Sequence, residues 1–213
     1  MKRDKNLDSC NIAIVGHRPD KLWGYRVFGE SQREIIGPYN YLYDEIRKQL
    51  KKVILENSMK VISVISGMDI GVQQLGILAA INIIRDKTIE PRIRHMIKTV
   101  AMLPCAFCET RWPNDVRKVY YEIMQKIDFV NESKLIFDNI GETAYRIRDE
   151  KIINSSDIVI AVYNNVENSR TLHALRYASI KGKRIIRIDP NKVKSKSEKE
   201  FKVMVNSLPE LVF

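Results

Sequence analysis

Short runs of apolar and β-branched residues recur along this chain: NIAIVG (11–16), VISVIS (61–66), IKTVAML (97–103), DIVIAVY (157–163) and RIIRI (184–188). Each is separated from the next by enough chain for a helix. Runs of this length without polar alternation belong to strands buried on both faces, and parallel strands need a crossover of a dozen or more residues. The stretches between them carry helical periodicity. From Tyr39 onward, Leu42, Tyr43, Ile46, Leu50, Val53 and Ile54 recur at spacings of three and four among Lys, Arg and Glu, which predicts an amphipathic helix. The helix expected after Gly67 is apolar on most faces through Val72, Leu75, Leu78, Ala79 and Ile83, so it should be largely buried. Asn114 is expected to cap a helix to about Ile127, with Phe129 and Val130 as a short edge strand. Further helices are expected over about 142–154 and 171–181. Residues 85–96, basic around Pro91, look like an insertion or helix extension. The alternation predicts an α/β fold, a Rossmann-like parallel sheet with helices on both faces. That domain should run from 11 to 190, between a loose segment 1–10 and a charged linker with a short terminal helix over 191–213.

Composition agrees with a folded chain: 45% of the 213 residues are apolar and 29% charged, which excludes a disordered or fibrous protein. Lys and Arg number 36 against 26 Asp and Glu, a net charge of +10 that favours an anionic partner: nucleotide, nucleic acid or acidic membrane. The segment 61–84 is long enough to span a bilayer, but Gly67-Met68-Asp69 interrupts it, and an unpaired central Asp is costly in lipid. A strand, a tight turn and a buried helix are expected there, and no membrane partner. Three cysteines cannot build a disulfide framework, and MKRDKNLDSC lacks the apolar stretch of a secretion signal, so a reducing cytoplasm is the expected location. Cys105 and Cys108 form one CxxC without further ligands at metal spacing; neither a zinc site nor a redox role is expected. His95 and His173 read as surface or structural residues.

In a parallel sheet of this kind ligands sit beyond the carboxyl ends of the strands. The first strand ends in GHRPDKLWGY, where His17, Arg18, Lys21, Trp23 and Tyr25 crowd together: Arg18 and Lys21 suit a phosphate, Trp23 or Tyr25 a base. The second ends in Gly67-Met68-Asp69-Ile70-Gly71, a turn whose glycines would let backbone N–H groups approach a phosphate at the helix start; they would equally serve a tight turn and close packing. Asp69 is expected to cap the helix that follows. The third ends in 104–112, where Arg111 and Trp112 could rim a pocket. The segment 164–171 follows the 157–163 strand.

IAIVGHRPDKLWGY, ISGMDIGVQQ, LPC followed by RWP, RIRDEKIINSSDIVIAVYNN and RTLHALRYASIKGKRIIRIDP, in that order over about 11–190, resemble the SLOG superfamily, the Rossmann-like group named for Smf/DprA and the LOG proteins. The pattern is most similar to its YpsA-like branch, whose members read TGHRP, then GMALGVDQ, and later DG with GGT. The resemblance implies a nucleotide or nucleotide-derived ligand, a phosphate at helix N-termini and a homodimer or higher homo-oligomer. By position, Gly16, His17, Arg18 and Pro19 match the first motif, Gly67, Met68 and Gly71 the second, Arg148 an arginine before the strong fifth strand, and Thr171 the end of GGT. The chain departs from the pattern at Val15 (Thr in the family), Gln73 (Asp), Asp149 (Asn) and Asn164-Asn165 (Asp-Gly), and Ser169-Arg170 replace two glycines. Arg170 offers a guanidinium where the close backbone approach is lost.

Binding of a nucleotide-derived molecule, as a sensor or as a phage or prophage sequestering protein, is the reading the residues favour. The alternative is an enzyme that releases a free base, as LOG enzymes do; their PGGxGTxxE would place Glu where Ala174 stands, leaving Asp69 and Glu109 as candidate carboxylates. A DprA-like nucleic-acid binder is the third reading, and the scattered basic residues favour it least. No cofactor is implied.

Overall fold

A computed structural model describes residues 8–28, 35–132 and 141–193. Six strands, β1 (Ser9–Gly16), β2 (Val61–Ser66), β3 (Ile97–Leu103), β4 (Phe129–Glu132), β5 (Ile158–Val162) and β6 (Arg184–Ile188), pair in parallel in the order β4-β3-β2-β1-β5-β6. The helices are α1 (Pro38–Glu56), α2 (Val72–Arg85), α3 (Pro91–His95), α4 (Asn114–Met124), α5 (Glu142–Asn154) and α6 (Arg170–Ile180). The α/β Rossmann-like expectation therefore holds.

Side chains alternate across the strands and so build a layer on each side. Ile12, Ile14, Ile62, Val64, Ile158 and Ile160 pack with Leu42, Ile46, Leu50, Leu75, Ile77, Val119 and Ile123 of α1, α2 and α4. Ala13, Val15, Ile65, Val159 and Ala161 on the opposite side meet Ile152, Ile153 and Ala178 of α5 and α6. Each large side chain buried this way contributes about 1.5–3 kcal/mol.

The chain grows outward from β1 through β2 and β3 to β4, then returns to the other side of β1 as β5 and finishes at β6. The connections leaving β1 and β5 thus run in opposite directions, which opens a crevice between the carboxyl ends of those strands.

Several boundaries differ from expectation. β1 starts at Ser9, paired with Val61, so the last residues of the segment expected to be loose belong to the sheet. Residues 1–7 of that segment lie outside the described residues, as do 194–213 with the short terminal helix expected there; residues 190–193, where the charged linker was expected to begin, are helical. Asn114 is the first residue of α4 rather than its cap; Pro113, in extended conformation, occupies the cap position, and the Asn114 side-chain carbonyl accepts from Arg117. The helix ends at Met124 and not near Ile127. Within 85–96 the chain leaves α2 and forms the short α3, started by Pro91 and tied back by Arg94 Nε donating to the Ile89 carbonyl at 3.0 Å. Among the described residues no helix is long and apolar enough to cross a membrane; the segment 61–84 is β2, a turn and α2.

Candidate functional site

The crevice between β1 and β5 contains a cavity of about 340 Å³. Its floor is the end of β1 with Gly16, His17 and Arg18; one wall is Asn168–Thr171 at the start of α6, and the other is Glu142, Tyr145 and Asp149 of α5. Lys21 and Asp20, in a single 3-10 turn after β1, and Gln73 of α2 complete the lining. A neighbouring cavity of about 470 Å³ between α5 and α6 shares Glu142, Asp149, Asn168, Ser169 and Arg170, and adds Arg146, His173 and Arg176.

Local hydrogen bonds shape the α6 side. The Asn164 side-chain amide donates to the Lys21 carbonyl at 2.7 Å, fastening the loop after β5 to the loop after β1. Its Oδ1 accepts from the Val166 N–H at 3.3 Å. Ser169 caps α6, its hydroxyl accepting from the Leu172 N–H at 3.2 Å. First-turn N–H groups have no partner inside a helix, so this end presents a positive partial charge where Arg170 and Thr171 line the cavity. Thr171 Oγ1 lies 3.3 Å from His17 Nδ1. The other ring nitrogen, Nε2, is buried and has no partner. Burial depresses the His17 pKa to about 4, so the imidazole is neutral at pH 7.

The turn after β2 is built differently. Gly67, Met68, Asp69, Ile70 and Gly71 are all buried. The Met68 N–H donates to Ser66 Oγ at 3.1 Å and the Asp69 N–H to Gln73 Oε1 at 3.0 Å. A Cβ on Gly67 would fall 2.5 Å from the Arg148 guanidinium carbon; the close approach this glycine permits is made by the protein's own arginine. Gly71 has φ +93°, a conformation that favours glycine.

Arg148 ties that turn to α5. Its Nη1 donates to the Gly67 carbonyl at 3.0 Å, its Nη2 to Asp69 Oδ2 at 3.0 Å and to Asp149 Oδ1 at 2.6 Å. Arg170 Nη2 donates to the same Asp69 oxygen at 2.8 Å. Both guanidinium groups lie over the Tyr145 ring, at 5.2 and 4.7 Å from its centroid. Burial alone would raise the Asp69 carboxyl, but Arg148 and Arg170 outweigh it and hold the group well below the usual carboxylate range. For Asp149 burial prevails, and its pKa is raised despite Arg148 and Arg170. Asp69 is therefore the hub of an ion-pair cluster and not the cap of α2; the cap position is Gly71, with no side-chain cap bond.

The candidates read from the sequence fall into groups. Gly16, His17, Arg18, Lys21, Gln73, Ser169, Arg170 and Thr171 share the cavity lining. Asn164 and Asn165 stand behind it and shape the loop, Asn165 Oδ1 accepting from Arg187 at 2.6 Å. Gly67, Met68, Asp69, Gly71 and Arg148 form the sealed turn and its clamp. Trp23 packs edge-on against Tyr39, centroids 5.2 Å apart, and stays outside the cavity lining, as do Tyr25 and Arg111, which line a separate groove. Of the two candidate carboxylates, Asp69 is held by two arginines, and Glu109 accepts from the Tyr121 hydroxyl at 2.8 Å away from the cavity lining. Asp20, Glu142, Tyr145 and Asn168 line the cavity without having been singled out; the local sequence around Glu142 and Tyr145 carries no signal for a site.

Among the described residues no group of three or more His, Cys, Asp or Glu could hold a metal ion. Cys105 and Cys108 are buried, and burial pushes both thiols up, Cys108 to about 12, away from the reactive thiolate form.

No family model matches this chain. A comparison with curated proteins found no match. A solved structure titled as the X-ray structure of TM1055, a structural genomics target, aligns with it at 14% identity over 83% of this chain and 72% of that chain, with a TM-score of 0.46.

Proposed function

We propose that the crevice between β1 and β5 binds a nucleotide or nucleotide-derived molecule, its phosphate against the start of α6 between Arg18, Lys21 and Arg170. The observation that carries this reading is His17 Nε2, a buried ring nitrogen without a partner in the lining of a cavity onto which a helix start opens. Buried polar atoms in folded proteins are almost always bonded, and a phosphate oxygen or a ribose hydroxyl would supply the missing partner. Carboxylates of Asp20 and Glu142 on the other walls suit sugar hydroxyls and exocyclic amines. The order of SLOG-like motifs supports a YpsA-like binder, acting as a sensor or sequestering protein and assembled as a homodimer.

A second reading, cleavage of an N-glycosidic bond, is favoured by one feature: Asp149, whose raised pKa leaves it nearer to a proton donor, shares the cavity with Glu142. A carboxylate beside the ribose is what an oxocarbenium-like transition state needs.

Titration calorimetry of the full chain with AMP and ADP, followed by mass spectrometry of the recovered ligand, tests both. Binding with intact ligand recovered is the expected result, and Arg18→Ala or Arg170→Ala should weaken it about 10- to 100-fold, the worth of a hydrogen bond to a charged group. Free base accumulating over many turnovers would establish the enzyme instead. Affinity for oligonucleotides that collapses with salt, without affinity for either nucleotide, would overturn both readings.

A further inference from the structure

We infer that the site is two-headed: a groove on the far side of Arg18 from the nucleotide cavity takes a second planar ring of the same molecule, so the ligand class is a dinucleotide with its phosphate bridge at Arg18. This rests on the reading of the cavity as a nucleotide site.

The groove has a volume of about 760 Å³ and is lined by Tyr25, Arg26, Phe28, Ile70, Arg111 and Trp112, backed by Val116 and Val119 of α4. Arg18 belongs to both linings. Its Nε is buried and has no partner. A bridging phosphate would satisfy it, and Arg is suited to that group by its fork of donors.

The two spaces differ in chemistry, so each would hold a nucleoside by a different route. The cavity is polar, with carboxylates and a helix start. The groove combines aromatic and aliphatic side chains with arginines that can lie flat on a ring, and has one carboxylate, Asp115. Trp112 is held edge-on by Tyr120, centroids 5.3 Å apart at 84°, which fixes its ring without closing the groove. Tyr25 is 51% exposed, and its hydroxyl is 3.4 Å from Asp20 Oδ1, a residue of the cavity lining. Tyr25 thus stands at the junction. Each space lies within the range of about 300–1,000 Å³ usual for small-molecule sites, and a mononucleotide in the cavity leaves the groove unfilled.

Calorimetry with AMP and with diadenosine diphosphate, on the full chain, tests the proposal. Stacking of one base on an aromatic side chain is worth roughly 5- to 150-fold in affinity, so diadenosine diphosphate should bind more tightly than AMP by a factor in that range. The double variant Arg26→Ala/Arg111→Ala should abolish the excess and leave AMP affinity within about twofold. Val116→Tyr, which fills the groove from α4, should do the same by a different route. An equal affinity of the wild-type chain for the two ligands, or an excess that survives both variants, would overturn the two-headed site while AMP binding upholds the nucleotide reading. Equal loss of both ligands in the variants would also overturn it, because the groove would then be part of the cavity. So would a change in oligomeric state by light scattering with both affinities intact, which would make the groove a contact between copies of the chain. Absence of binding by either ligand would remove the proposal together with the reading on which it rests.

Discussion

The turn after β2 and the turn after β5 both carry the chain from the carboxyl edge of the sheet into a helix, and they end up with opposite uses of that position. The first has the glycines, yet the Met68 and Asp69 N–H groups are taken by Ser66 and Gln73 and the space over Gly67 is filled by Arg148. The second has Ser169 and Arg170 where relatives of the resembled family carry glycines, and it lines the cavity. Glycine at a helix start signals that something comes close; whether it is a phosphate or the protein's own guanidinium depends on residues far away in sequence.

The comparison is most directly broken at the clamp. Arg148→Met leaves the Asp69 and Asp149 carboxylates buried beside a neutral side chain, and loss of one partner from a buried ion pair costs about 3–5 kcal/mol. Urea denaturation should register that cost; a change below about 1 kcal/mol would mean that the turn is held some other way. Gly67→Ala drives a methyl into the same guanidinium and should cost about 1–3 kcal/mol, as overpacking does. In the Arg148→Met background the penalty should shrink, because the two substitutions share a contact.

Acid separates the Asp69 turn from the His17–Thr171 contact at the start of α6. The His17 pKa is depressed in the folded state, so the unfolded chain binds the proton first, and stability falls as the pH drops from about 6.5 toward 4, by at most about 1.4 kcal/mol per pH unit. Asp69 is also depressed, but as a carboxylate its contribution is intact above about 4 and lost only below. Stability measured against pH should show both slopes, and His17→Gln should remove the upper one alone. The smallest effect is expected at the cap of α6: Ser169→Ala should cost about 1 kcal/mol in thermal denaturation, with no change in the acid slope of Asp69.

Most of the fold was legible because each buried strand is a local event: six or so apolar residues in a row, read without knowing their neighbours. α3 was not, since five residues beginning with Pro91 are too few to show a period. The crowded His17, Arg18 and Lys21 fall on the cavity lining, where the end of β1 places them. Glu142 and Tyr145 escaped notice because α5 reaches the cavity only after the chain has crossed from β4 back to β5, a step no local pattern records. Asp69 was assigned the common duty of an acidic residue before a helix. Its actual partners stand 79 and 101 residues further on, and burial, not spacing, selects them.

The return crossover also sets when the cavity can exist. Its floor at Gly16–Arg18 is translated well before the helix start facing it, which arrives only with Ser169–Thr171, and the Asn164 tether to Lys21 spans 143 residues. A nascent chain that ends before α6 lacks that wall of the crevice. Capture of the proposed ligand would therefore wait for α6, and a ligand present during synthesis would leave the folding steps that precede it untouched.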